Sequence, residues 1–428
     1  MKILMMTNTY TPHVGGVAHS VERFTQHLRQ LGHRVVVIAP EFENMPEDEI
    51  DVIRIPAIQN FNNSDFSVVL PVPGYLHADL EDLQPDIVHS HHPFLMGTTA
   101  LRVANQYHSP LVFTHHTMYE QYTHYVPGDS PALKRFTVKL TTGYANMCDQ
   151  VIAPSQSIAD ILRKRGVKSP IESIPTGVDI DRFKKGDGNS IRKDKIIPPD
   201  AFVIGHVGRL APEKNLDFLT RAVSETLEKN PEAHFLVVGD GPSLENMKKI
   251  LEKKAVSNRA HFTGSLEGEE LVNAYHAMDV FAFASKSETQ GMVLVEAFAA
   301  GVPVAALDAP GAREVVRDKK NGRLFMNEET SELAGCLEWV IHLSPEDFQQ
   351  LREESLKTAS EFSTRACAEH LLDIYDHWLK KESLERPIDE SFWRSMLEQI
   401  RLEWDIIANY AEAAGDAASN GSKAGEVT

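Results

Sequence analysis

Short apolar runs alternate with stretches of helical periodicity from the first residues to about position 380. In the first half the runs fall at 3–7, 35–39, 52–55, 87–89, 111–114, 151–153 and 171–174. A second series follows at 202–207, 234–238, 261–263, 280–283, 302–306 and 322–325. Runs that are apolar throughout, rather than at every second residue, read as strands buried on both faces, and the helical stretches supply the cover. The pattern therefore predicts an α/β chain with two doubly wound parallel sheets, each a Rossmann-like domain.

The break between the two series is polar and rich in Lys, Gly and Asp. It divides the chain into an N-terminal domain at 1–183, a linker at 184–198 and a C-terminal domain at 199–362. Beyond 362 only helical periodicity remains. One helix is expected at 364–381, in the position of a segment that crosses back to the first domain. Another, at about 389–413, carries Phe392, Trp393, Met396, Leu397, Ile400, Trp404, Ile407 and Tyr410 at helical spacing. Packing or self-association suits that stripe. Membrane contact suits it less, because Asp389, Glu390, Glu398, Glu403, Asp405 and Glu412 share the segment. The Gly/Ala/Ser-rich residues 415–428 read as a disordered tail.

Composition narrows the function. With 428 residues, 42% of them hydrophobic and 24% charged, each half can bury a core of its own. The net charge of -18 argues against nucleic acid as a partner. The charge is uneven: residues 1–190 hold 16 Lys and Arg against 20 Asp and Glu, a balance of -4, together with 12 of the 19 histidines. Lys134, Arg135, Lys139, Arg163, Lys164, Arg165 and Lys168 lie in that half, either as solvated helix faces or as a surface for an anionic partner. No run approaches the ~18 apolar residues of a membrane span, and the start lacks a secretion signal, so a cytoplasmic protein is expected, with peripheral contact at the membrane through the first domain. The three cysteines are scattered and suggest neither a zinc site nor a disulfide framework.

Several motifs carry candidate chemistry at the carboxyl ends of expected strands, where open α/β sheets bind ligands. In Ser287-Glu288-Thr289-Gln290-Gly291-Met292-Val293-Leu294-Val295-Glu296 two carboxylates stand eight residues apart across a glycine turn that opens a helix. Four or five unpaired amides at that start, with Gly291, Met292 and Val293 foremost, would face a diphosphate, with one carboxylate toward a sugar and the other toward a ribose. Two incidental glutamates on an amphipathic helix are the alternative. Gly208-Arg209-Leu210-Ala211-Pro212-Glu213-Lys214 follows the strand 202–207 and sets Arg209 and Lys214 as cations for a departing diphosphate, or as loop residues paired to nearby acids. Gly15-Gly16 and Gly239-Asp240-Gly241-Pro242 allow close backbone approach to a ligand or simply a tight turn. Thr114-His115-His116-Thr117 places a histidine where it can face a reacting group. Asp179-Ile180-Asp181 has the D-x-D form that holds a divalent metal elsewhere, but its surroundings read as a capped turn.

Taken in order, these motifs resemble those of the retaining glycosyltransferases of family 4, which have the GT-B fold. The resemblance rests on Gly15-Gly16, Thr176-Gly177-Val178-Asp179, Gly208-Arg209 with Lys214, Gly239-Asp240-Gly241-Pro242, and Glu288 with Glu296 ahead of Ala297-Phe298-Ala299-Ala300-Gly301-Val302-Pro303. It implies a metal-independent enzyme without cofactor, whose donor substrate is a nucleotide sugar such as a UDP-hexose. Arg209 and Lys214 would bind the diphosphate, Glu288 the sugar and Glu296 the ribose, with His116 beside the transferred sugar. Two positions depart from the family: its proline is Ala284 here, and its aromatic before the glycine is Gln290. The segment 116–126, with Tyr119, Tyr122 and Tyr125, followed by Lys134 and Arg135, is similar to the acceptor side of bacterial diacylglycerol glucosyltransferases. That likeness implies a lipid acceptor and glucose from UDP-glucose. A soluble glycan acceptor, or a non-catalytic sugar-nucleotide sensor on the same fold, are the alternatives.

Overall fold

The computed structural model describes residues 1–13, 15–46, 48–58, 68–69, 77–121, 130–286, 288 and 290–381. The expected helix at 389–413, the tail, Tyr122 and Tyr125 lie outside these residues. The described chain divides into two compact units. One holds residues 1–153, 159–172 and the residues from Leu372 on; the other holds 154–158 and 173–371.

The first unit is built on a seven-stranded sheet. Its strands are β1 (Lys2–Met6), β2 (Arg34–Pro40), β3 (Val52–Ile55), β6 (Ile87–Ser90), β7 (Leu111–Thr114), β8 (Gln150–Ala153) and β9 (Ile171–Ser173), in the order β3-β2-β1-β6-β7-β8-β9. A separate antiparallel pair, β4 (Ala57–Ile58) and β5 (Val68–Val69), falls between β3 and β6 in the chain. The central strands pair in parallel, and β1, β6, β7 and β8 are buried almost throughout, as their unbroken apolar sequences require. The helices are α1 (Gly16–Gln30), α2 (His77–Leu83), α3 (Met96–Gln106), α4 (Pro131–Ala145) and α5 (Gln156–Lys164). In α1 the buried apolar residues are Ala18, Val21, Phe24 and Leu28, spaced three or four apart, with Ser20 and Thr25 buried beside them. Ser130 caps α4 through the amide of Leu133, with Pro131 at the first helical position.

The second unit repeats the plan with six parallel strands in the order β12-β11-β10-β13-β14-β15. These are β10 (Phe202–Val207), β11 (Ala233–Val238), β12 (Ala260–Phe262), β13 (Val280–Phe283), β14 (Val304–Leu307) and β15 (Gly322–Phe325). Its helices run from α6 (Ile180–Phe183), α7 (Gly188–Asp194), α8 (Leu216–Lys229) and α9 (Leu244–Lys253) through α10 (Gly268–His276) and α11 (Met292–Ala299) to α12 (Ala312–Val315), α13 (Thr330–Ile341), α14 (Pro345–Glu361) and α15 (Thr364–Lys380). Helix α15 is shared: its residues through Leu371 count with this unit and the rest with the first. In the first unit, Tyr375 then donates or accepts at His89 Nδ1 (2.6 Å), and Trp378 Nε1 donates to Gln150 (3.2 Å).

The stretch 184–198, expected as a linker, is instead fastened to the second unit. It contains α7 and buries Ile191 and Ile197 in the core with Phe183. The Arg192 guanidinium donates to the carbonyls of Pro199, Ala201 and Ala277 and to the Asp279 carboxylate at 2.9 Å. Its glycine at 188 serves contact rather than freedom: a Cβ there would stand 2.2 Å from the carbonyl oxygen of His276. Thr176-Gly177-Val178-Asp179 likewise has a packing role. The Val178 amide and carbonyl bond Phe362 and Thr364 at the start of α15, and a Cβ on Gly177 (φ +79) would lie 2.5 Å from Thr364 Cα.

Candidate active site

Both sheets reverse their winding once. The switch lies beside β1 and β6 in the first unit and beside β10 and β13 in the second, and ligands of such sheets bind at the carboxyl ends of the strands there. Every motif above except Asp179-Ile180-Asp181 and Thr176-Gly177-Val178-Asp179 follows a strand at or next to one of these points.

In the second unit the chain leaves β10 through Gly208, Arg209, Leu210 and Ala211 into a tight turn at Pro212–Lys214, with Asn215 left-handed before α8. The loop after β11 lies backbone to backbone against it. Leu210 donates to the Asp240 carbonyl (2.8 Å) and accepts from Ser243 (2.8 Å), while a Cβ on Gly239 would stand 1.9 Å from the Gly208 carbonyl oxygen. Gly239-Asp240-Gly241-Pro242 is thus explained by close packing of two loops. Lys214 Nζ is bonded to Glu288 Oε1, both side chains being less than a quarter exposed. Arg209 pairs with Glu213 but is 67% exposed. An exposed pair of that kind contributes only ~0.5 kcal/mol, so a diphosphate can displace it readily.

Beyond β13, Gly291 adopts φ +65, and a Cβ there would meet the Gly311 carbonyl oxygen at 2.8 Å, so the turn that opens α11 requires glycine. The Gly291 carbonyl already accepts from Leu294 (2.9 Å) and Val295 (3.4 Å). Of the four or five donors expected at this start, Leu294 and Val295 are thus engaged, which leaves the amides of Gly291, Met292 and Val293; Gly291 is buried and the other two residues are partly exposed. Glu296 Oε2 accepts from the Tyr275 hydroxyl at 2.8 Å. Burial beside that carboxylate pushes the Tyr275 phenol well above its ordinary range, so it stays a donor. Gln290, the departure from the family's aromatic, accepts from the Thr176 amide at 2.7 Å and ties the loop to the 175–178 segment.

In the first unit, Gly15 and Gly16 start α1 after β1. Neither is forced by backbone strain: Gly15 is extended (φ -169), and a Cβ on Gly16 would meet nothing within 4 Å. The helix begins at Gly16 itself. His116, just past β7, is partly exposed, and its Nε2 lies 2.9 Å from Nδ1 of His91, with the rings stacked at 5.2 Å. His91 is in turn stacked on His89 at 4.2 Å. Burial lowers the pKa of His89 and His92 to about 3 and of His115 to about 4, and burial with neighbouring histidines holds His91 and His116 well below 6.5. All five rings are neutral at pH 7.

Tyr119, expected at the acceptor, turns its hydroxyl inward. The ring packs edge-on against Phe94 at 4.9 Å, and the hydroxyl is buried. The half-apolar ring is better satisfied inside this aromatic cluster than beside the solvent. Lys134 and Arg135 are exposed on α4, as is Lys139. Asp179 is a cap, accepting from the Arg182 amide at 3.3 Å, and Asp181 pairs with Lys184 at 2.6 Å. Among the described residues no cluster of three or more acidic, His or Cys side chains could hold a metal, and no helix is long and apolar enough to cross a membrane.

The sequence reading passed over His89, His91 and His92, although Ser90-His91-His92 repeats at β6 the His115-His116 signal at β7. It also passed over Tyr275, which no motif marks, and His206, a buried strand residue whose pKa burial and Lys214 lower to about 4.

Comparison with known proteins agrees with this geometry. Residues 14–182 match the description Glycosyltransferase Family 4, and residues 187–358 match Glycosyl transferases group 1. The chain is 33% identical over 404 residues to the alpha-monoglucosyldiacylglycerol synthase of Acholeplasma laidlawii, covering 89% of this chain and 99% of that one. It is 28% identical to the enzyme of the same name from Streptococcus pneumoniae, over 83% and 82% of the two chains. Among solved structures, the Anabaena protein Alr3699/HepE in complex with UDP superposes with a TM-score of 0.69 at 20% identity, over 88% of this chain and 100% of that one, a likeness of fold. With paired parallel-sheet units, the ordered motifs and a relative matched over nearly its whole length, the chain belongs to the family 4 glycosyltransferases of the GT-B fold.

Proposed function

We propose that this protein is a retaining, metal-independent hexosyltransferase that moves glucose from UDP-glucose to a hydroxyl of a diacylglycerol-type lipid at the membrane surface. The observation that carries the donor side is the arrangement around α11. The amides of Met292 and Val293, the Lys214 ammonium and the exposed Arg209 guanidinium are the groups a pyrophosphate needs, flanked by Glu288 for the sugar and Glu296 for the ribose. When the bond from the anomeric carbon to the diphosphate breaks, charge grows on the leaving oxygen, and Arg209 and Lys214 stabilise it there. The acceptor hydroxyl attacks from the same face, and its proton passes to the departing phosphate oxygen. His116 donates a hydrogen bond to the transferred sugar. Gly15 and Gly16, lacking side chains, leave the first amides of α1 open to the substrate.

Glucose and the lipid acceptor are supported by the two synthases named above, and the exposed Lys134, Arg135 and Lys139 suit an anionic lipid surface. The test is UDP release from UDP-glucose with vesicles that contain diacylglycerol and anionic lipid. The expected result is acceptor-dependent release, unaffected by EDTA, and an α-linked glucolipid by NMR. Release with soluble glycans but not with vesicles contradicts the lipid acceptor; binding of UDP-glucose without turnover on either contradicts an enzyme.

A further inference from the structure

The contact from His91 Nδ1 to His116 Nε2, at 2.9 Å, contains one hydrogen, and two arrangements supply it. Both rings are neutral, so each carries a single N-H. In one arrangement His91 Nδ1-H donates, which leaves a bare lone pair on His91 Nε2 and puts the proton of His116 on its Nδ1. In the other, His116 Nε2-H donates, and the proton of His91 must sit on its own Nε2. That nitrogen decides between them, because His91 is fully buried and its Nε2 has no partner among the described residues. An N-H donor stranded there forfeits a hydrogen bond, and orphaned buried N-H groups are rarer than under-satisfied acceptors.

The molecule contains its own precedent. His206 Nδ1 lies 3.0 Å from the Ala282 carbonyl oxygen, which can only accept, so the proton of this neutral ring is on Nδ1. Its buried, partnerless Nε2 is therefore a lone pair. We propose that His91 is a positioning residue: by donating from Nδ1 it holds His116 as the Nδ1-H tautomer, a fixed hydrogen-bond donor toward the sugar. An imidazole in water prefers the opposite form, so the pairing imposes what the free ring would not adopt. The value of this for catalysis rests on the reading that His116 stands beside the transferred sugar; the tautomer itself does not.

Histidine-selective 15N labelling of the full chain reads the tautomer, with the His116 signals identified by their loss in His116→Gln. The expected spectrum has a protonated Nδ1 and a bare Nε2 on His116, reverting to protonated Nε2 in His91→Leu. A protonated Nε2 in the unaltered protein, or a charged ring, overturns the inference whatever the activity. In kinetics, His91→Asn restores an N-H near the Nδ1 position and should keep kcat within ~3-fold, whereas His91→Leu should lower it ~10- to 100-fold with donor KM little changed. Should the ring be Nδ1-H yet His91→Leu turn over normally, the tautomer stands and the place of His116 at the sugar falls, so the two failures are told apart.

Discussion

The two units present opposite chemistries on the same scaffold. At the carboxyl edge of the second sheet the polar groups are charged and already engaged: Lys214 with Glu288, Arg209 with Glu213, Glu296 with Tyr275. At the same edge of the first sheet stand five neutral histidines, four of which, His89, His91, His92 and His116, share hydrogen bonds with one another, with hydroxyls or with backbone. Under the proposed function the difference matches two tasks. A diphosphate is held by charge. A sugar is held by directional hydrogen bonds, for which a neutral ring in one tautomer serves better than an ion that recruits any acceptor.

The charged side is where the largest effect is expected. Under the proposed function Lys214→Ala and Arg209→Ala should each lower kcat by ~10²- to 10³-fold, since both would act on charge that develops during transfer. Circular dichroism of each variant should match the parent; near-normal turnover would remove the leaving-group role. Acid should act on the other unit. His89, His92 and His115 titrate near 6.5 in an unfolded chain but at about 3, 3 and 4 here. Below pH 6.5 the unfolded chain binds more protons than the folded one, so stability is full above that pH and declines as pH falls toward 4, by about 1.4 kcal/mol per pH unit for each such ring. Thermal melts from pH 7.5 to 4.5 check this, and a flat Tm would contradict the buried neutral rings.

A smaller change sharpens the donor side. Tyr275→Phe removes a hydrogen bond to the Glu296 carboxylate and should raise donor KM by roughly 10-fold with kcat little altered, corresponding to a bond to a charged group of ~1.5 kcal/mol. A loss confined to kcat would place Glu296 elsewhere than at the ribose. The least effect is expected from salt. Raising NaCl from 0.05 to 0.5 M should weaken UDP binding only several-fold, because Lys214 is largely shielded, and should leave the histidine tautomers untouched. Titrations at the two salt concentrations test that contrast.

The fold was legible because buried parallel strands write themselves as largely apolar runs, and the thirteen runs match strands of the two sheets to within two residues at either end, the partly buried β3, β9 and β12 with a polar residue among them. The linker was misread for a physical reason. Lys, Gly and Asp at 184–198 suggest a solvated tether, but Gly188 allows backbone contact with His276, and the stem of Arg192 packs while its guanidinium meets three carbonyls and Asp279. In the candidate site, residues marked by a strand end with a glycine and a charge nearby could be singled out from the sequence, as with Arg209, Lys214, Glu288 and Glu296. Residues that act through another side chain were not. Tyr275 lies within a helix and His91 directly after a strand, and only the folded structure shows which partner each one meets.

Calorimetric titration with UDP-glucose tests the central claim most directly, comparing the unaltered protein, Lys214→Ala and His91→Leu. The account predicts saturable binding by the unaltered protein, a marked loss of affinity in Lys214→Ala, and near-unchanged affinity in His91→Leu, because charge at the second unit grips the diphosphate. No heat from the unaltered protein, or equal affinity in Lys214→Ala, would contradict it.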